Sequence, residues 1–223
     1  MNKVKNLIIA AHPDDEILGC GGTIAKYNKT QEYYVLILTG GAENRYDKSM
    51  ESVLHSHALK ANSKVGTKEV FFEQLPNQGL DNIPLTAVIQ VIEKYIEIVR
   101  PVNLFIHSSQ DLNKDHRIVY EAGITASRPF AGQIVRKLYS YFVASSTEWN
   151  RIENSFIPNT YIDIKDCIDK KIEAMKCYES ECRPYPHPRS PEAISIYAEF
   201  WGISVGMEYI EPFQLIQDIS GHI

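Results

Sequence analysis

KNLIIAAHPDDE, residues 5–16, passes from an apolar run, Leu7 to Ala11, straight into His12, Asp14, Asp15 and Glu16. An apolar run this short, bounded by a polar turn, fits a strand buried on both faces of a parallel sheet. Working outward, the glycines of GCGG (19–22) and the helical-looking TIAKYNK (23–29) lead to a second β-rich run, YYVLILT (33–39), which ends in Gly40-Gly41. That is a strand, helix, strand unit with a right-handed crossover. The pattern continues with a helix over 49–62, a strand over 69–75 and a helix over 85–99, whose Leu85, Val88, Ile89, Ile92, Ile96 and Val99 recur at helical spacing before Pro101. NLFIHSS (103–109), KLYSYFV (137–143) and TYIDI (160–164) read as further strands, and 116–127, 166–181 and 191–204 as helices. CRPYPHPRSP (182–191) carries four prolines and is predicted to be an ordered loop or lid. The expected fold class is α/β: a single domain over 1–223, with a mostly parallel, Rossmann-like sheet flanked by helices and a site at the strand carboxyl ends.

Composition agrees and removes several classes. A chain of 223 residues with 44% apolar and 23% charged residues can build one full core. No apolar stretch approaches the roughly 20 residues of a membrane span, and the acidic residues after Ala11 interrupt any signal-peptide pattern. Cytoplasmic residence and no membrane partner are the expectations. With a net charge of −5 and scattered Lys and Arg, no basic stripe is available for nucleic acid. Cys20, Cys167, Cys177 and Cys182 form no Cys-x-x-Cys pair and are expected as reduced thiols.

Open parallel sheets bind ligands beyond the carboxyl ends of their strands. His12, Asp14, Asp15 and Glu16 leave one predicted strand there, and His107, Asp111, Asp115 and His116 leave another. Catalytic zinc takes three His or carboxylate ligands and keeps a fourth position for water. One His and one Asp from 12–15 with His116 meet that count, and Pro13 stiffens the first loop. The remaining carboxylate is then free to accept a proton from water made acidic by the metal. A helix-capping role for the acidic turn explains one carboxylate; it does not explain two His-bearing acidic loops on one rim.

AHPDDEILGCGG (11–22) followed by DLNKDHR (111–117) resembles the PIG-L/LmbE family of zinc-dependent N-deacetylases. STEW (146–149), FIPNTYIDI (156–164) and PHPRS (186–190) extend the resemblance over most of the chain, towards a bacterial branch. The resemblance implies that His12, Asp15 and His116 bind Zn2+, with Fe2+ tolerated by the same ligands, and that Asp14 is the general base. It implies removal of an acetyl group from an N-acetylglucosamine-type amino sugar or glycoconjugate, and a homo-oligomer. Where many members carry a His as general acid, this chain has Asn113, whose NH2 can still bind an oxyanion. The leaving amine would then take its proton from His187 or from Asp14 itself. Asp115 either orients an imidazole or caps the helix over 116–127. Arg45, Arg189 and Trp149 are candidates for holding the substrate; His55, His57 and His222 are expected to be structural.

Two other classes deserve weight beside the hydrolase. A dinucleotide-binding module would use Gly19, Gly21 and Gly22 to cradle phosphate, but seven residues with three carboxylates separate them from the strand. Close packing of helix on sheet explains the glycines better. A carbohydrate-binding module without catalysis is compatible with Asn113, yet it has no need of Asp14.

Overall fold

A computed structural model describes residues 3–40, 50–150 and 155–221; Arg45 and His222 lie outside the described residues. The chain runs β1 (Val4–Ala10), α1 (Asp15–Tyr27), β2 (Gln31–Thr39), α2 (Met50–Val65), β3 (Glu69–Leu75), α3 (Leu85–Val99), β4 (Asn103–Ile106) and α4 (Lys114–Ala126). It continues with β5 (Lys137–Tyr141), β6 (Thr160–Asp163), α5 (Ile168–Met175), α6 (Pro191–Ile203) and β7 (Ile210–Asp218). One sheet has the order β3-β2-β1-β4-β5-β7-β6. The first five strands are parallel, whereas β7 runs antiparallel between β5 and β6.

Alternation along β1 feeds two cores. Ile8 and Ala10 join the core beneath α1, α2, α5 and α6, and Leu7, Ile9 and Ala11 join the one beneath α3 and α4. Burial on both faces explains why the strand reads as an unbroken apolar run rather than an alternating one. The adjacent connections β1–α1–β2 and β4–α4–β5 bring the loops after β1 and β4 side by side on one rim.

Three boundaries differ from the sequence reading. Helix α1 starts at Asp15, before the glycines, which therefore sit inside it. The helix expected over 166–181 is confined to α5, and the chain turns after Met175. Strand β7 was not anticipated, because Pro212 interrupts its run. The proline is tolerated where it falls: the ladder with β5 begins only at Phe213, and Pro212 faces Tyr161 of the outer strand β6.

The glycines are there for close approach. A Cβ at Gly19 would stand 2.3 Å from Cδ2 of Tyr141, and one at Gly22 would stand 2.8 Å from Ile164. Beside them, Glu211 of β7 accepts hydrogen bonds from the backbone N–H groups of Gly22 (2.7 Å) and Thr23 (2.6 Å). Lys171 of α5 donates to Leu18 O (2.7 Å) and to Glu211 (2.6 Å). This buried ion pair occupies the Leu18 carbonyl and Gly22 N–H, the acceptor and donor that an α-helix would join to each other. It thereby ties the first helix to the last strand.

Candidate metal centre and its cleft

The rim loops build the centre. His12 lies in the turn after β1, Asp15 is the first residue of α1, and His116 stands in the first turn of α4. Their donor atoms form a near-equilateral triangle. His12 Nδ1 is 3.1 Å from His116 Nε2, and Asp15 Oδ2 is 3.2 Å from each. Tetrahedral coordination at zinc–nitrogen distances near 2.0–2.1 Å gives ligand separations of about 3.3 Å. These three donors therefore fit a metal ion, and they are the cluster of His, Cys, Asp and Glu suited to one among the described residues.

The opposite nitrogens of the two imidazoles face carboxylates. His12 Nε2 is 3.1 Å from Asp115 Oδ2, and His116 Nδ1 is 3.1 Å from Asp111 Oδ2. Such partners fix the tautomer and aim the ligating nitrogen inward. Asp111 is itself held by the hydroxyls of Ser146 and Thr147, and Asp115 accepts from Leu80 N at 3.1 Å. Asp115 thus orients His12, across the rim, and not its neighbour His116. Helix α4 is capped by Asn113, whose Oδ1 accepts from Asp115 N at 2.9 Å. His107 lies behind the centre, stacked on His116 with ring centroids 3.9 Å apart, and its Nε2 accepts from Ala11 N at 2.9 Å.

Electrostatics sharpen the picture. Burial alone would raise Asp15, but the His116 and His107 imidazoles hold its carboxyl well below the usual range. Burial opposes charge on His116, yet Asp15 and Asp111 outweigh it and push its pKa up to about 10. Burial, with the neighbouring His116, pushes the His107 imidazole well below its usual range. Three carboxylates around two imidazoles call for positive charge at the centre, which protons or a metal ion can supply.

Asp14 points elsewhere. Its backbone has φ 104°, and its carboxylate meets Arg189 Nη1 at 2.9 Å; the same nitrogen reaches Glu181 at 2.6 Å. Burial raises Asp14 to about 8 against the opposing pull of Arg189. Neither Asp14 nor Asp15 caps α1 through its side chain; Asp15 instead accepts from His12 N at 2.9 Å. The two aspartates of the acidic turn are thus engaged elsewhere than in capping α1 with their side chains. Glu16, fully buried, is raised to about 7 by burial despite hydrogen bonds from Tyr178 and Asn62.

A cleft of about 590 Å³ opens onto the centre, lined among others by His12, Asp14, Asp15, Asn113, His116, Trp149, Glu181 and Arg189. Trp149 is 43% exposed at its edge. Its companion Glu148 turns away to accept from the backbone of Ser145 and Ser146. His187 is not among the lining residues: its Nδ1 accepts from Arg189 N at 3.1 Å, and its ring meets Trp149 edge-to-face. Sequence reasoning gave no role to Glu181, the brace of Arg189, because it sits in a charged stretch with no distinguishing spacing.

The fold is thus an α/β domain whose largely parallel sheet carries at its strand ends a His–Asp–His cluster able to hold a metal ion, with a buried carboxylate beside it. Residues 7–127 match the family model PIG-L, GlcNAc-PI de-N-acetylase, and the chain belongs to that deacetylase family. "Uncharacterized deacetylase YaiS" of Escherichia coli K12 is 27% identical over 186 residues, spanning 80% of this chain and 93% of that protein. Among solved structures, N,N'-diacetylchitobiose deacetylase from Pyrococcus horikoshii superposes with a TM-score of 0.78 at 20% identity, over 96% of this chain and 84% of that one. GalB, the 4-carboxy-2-hydroxymuconate hydratase of Pseudomonas putida KT2440, does so with a TM-score of 0.75 at 20% identity, over 99% of each. The last two comparisons establish the fold alone, and together they join a deacetylase and a hydratase on it, so the reaction has to be argued from the site.

Proposed function

We propose that this chain is a metal-dependent N-deacetylase that releases acetate from an N-acetylated amino sugar or glycoconjugate. The observation that carries the reading is the donor triangle of His12, Asp15 and His116, with a separate carboxylate, Asp14, on the same cleft. Bound among those donors, zinc, or ferrous iron with the same ligands, supplies Lewis acidity towards an acetamide carbonyl and makes water acidic near neutrality.

The chain's own residues do the rest. Asp14 takes a proton from the attacking water and returns it to the departing amine. That assignment is favoured over His187, whose Nδ1 is engaged with Arg189 N outside the cleft lining. Asn113 has its Oδ1 committed to the α4 cap, which leaves its NH2 to donate to the oxyanion. Arg189, on the wall of the cleft, aims the Asp14 carboxylate. The exposed indole of Trp149 offers a flat apolar surface to a sugar ring.

The test is metal analysis of wild type, His12→Ala and Asp14→Asn, run with acetate release from a panel of N-acetyl hexosamines and their conjugates. One metal per chain in wild type and Asp14→Asn, none in His12→Ala, and acetate from wild type alone is the expected result. A wild-type protein that binds no zinc, or whose Asp14→Asn variant keeps its turnover, refutes the proposal.

A further inference from the structure

Asp14 and Asp15 are adjacent and must point in different directions. Asp15 faces the two imidazoles, while Asp14 faces Arg189 and the cleft. The divergence is made by the backbone: Asp14 has φ 104° and ψ −27°, left-handed geometry at a non-glycine residue. Such a conformation persists only where the surroundings over-determine it.

Glu16 supplies the restraint. Its Oε2 accepts the N–H of Asp14 at 3.2 Å. Its Oε1 accepts from Tyr178 Oη at 2.5 Å and from Asn62 Nδ2 at 2.8 Å. Asn62 is fixed in turn, donating to Ala58 O at 3.0 Å and accepting from Thr67 Oγ1 at 2.7 Å. Glu16 is fully buried, with partners on α2, in the segment after α5 and on the Asp14 backbone. It makes no ion pair among the described residues. A buried carboxylate held by neutral donors costs stability unless a structure needs its two acceptor oxygens.

Resting on the general-base role given to Asp14 above, we propose that Glu16 is a positioning residue that holds the Asp14 backbone in its left-handed turn and so keeps the base's carboxylate on the cleft, apart from the metal ligand Asp15. A glutamine cannot replace it. Donors approach both carboxylate oxygens, so an amide NH2 faces a donor whichever way the group is flipped.

The test is Glu16→Gln made in wild type and in Asp14→Gly, where glycine adopts the left-handed turn without restraint. Melting temperatures are measured on metal-loaded and on chelated protein, with metal content and steady-state kinetics on the loaded forms. The expected drop for Glu16→Gln is roughly 4–8 °C in wild type and less than half as much in Asp14→Gly. In wild type, kcat falls at least tenfold while KM and metal content stay unchanged. Equal melting losses in the two backgrounds, or an unchanged kcat, overturn the proposal and leave Glu16 as a core residue only. Should Glu16→Gln not fold, Tyr178→Phe, which removes one of the donors, is put through the same cycle with the same criteria. The melting arm needs no turnover, so coupling in a protein that releases no acetate refutes the deacetylase reading and leaves the restraint on residue 14 standing.

Discussion

Replacing Gly19 with alanine sets two effects of opposite sign against each other. Helix propensity favours alanine by about 1 kcal/mol in a helix interior. The structure opposes it, because the new Cβ would stand 2.3, 2.8 and 2.9 Å from Cδ2, Cε2 and Cγ of Tyr141. That ring cannot retreat: Tyr141 is fully buried, and its hydroxyl donates to Ile9 O at 2.7 Å. Forcing an extra methyl into a packed core typically costs 1–3 kcal/mol, and contacts this short belong at or above the top of that range. The net expectation is a loss of at least about 2 kcal/mol after the propensity gain is subtracted. For 223 residues the unfolding entropy is about 0.5 kcal/mol per kelvin, so the melting temperature should fall by about 4 °C or more. Tyr141 Oη is also 3.1 Å from His107 Nε2, and His107 stacks on His116, so metal affinity should weaken as well. Calorimetry and a metal titration read both effects. Gly21→Ala is the milder comparison, since the same propensity gain there meets Lys171 and Ile17 side-chain atoms no nearer than 3.3 Å. A Gly19→Ala protein that melts at or above wild type would show that propensity, and not close approach, governs this helix.

Three further outcomes are expected. Asp111→Asn leaves His116 Nδ1 facing an amide and should weaken metal binding by about 10–100-fold, measured by competition with a chromophoric chelator, with little change in fold by circular dichroism. Chelation should lower the melting temperature, and zinc at about a hundred times its dissociation constant should restore roughly 2.7 kcal/mol of stability; a melting temperature indifferent to chelator and zinc would count against the centre. His187→Ala should keep turnover within tenfold of wild type, whereas a loss beyond about a hundredfold would return the acid role to His187.

Much of the rim was legible because its signals are local. The apolar runs at 7–11 and 104–106 end in histidines and carboxylates, and strand ends on a parallel sheet share one edge. Spacing along a helix leaves Asp115 between two roles, because it cannot say that the partner is His12 rather than His116. The sequence around Asn113 points to the site but carries no sign that its oxygen caps α4. Glu16 and Glu211 are illegible as structural partners, since they act on residues far along the chain or through backbone N–H groups that have no side-chain signature, and Glu181 is hidden in a charged stretch although its partner Arg189 is near in sequence. Strand β7 hid behind a proline that only its register makes harmless.

The bond from Gly22 to Glu211 spans 189 residues, and that separation is also an interval of time. As the chain leaves the ribosome amino end first, His12, Asp15 and His116 all emerge well before Glu211 does. Until β7 docks, Lys171 lacks its counter-charge and the bonds of Glu211 to Gly22 and Thr23 are unmade, so the helix that presents Asp15 is not yet tied to the last strand. Metal capture should therefore be among the last events in maturation. Nascent chains arrested before residue 205 should hold zinc far less tightly than released protein. A fully loaded arrested chain would show that the rim matures without its final strand.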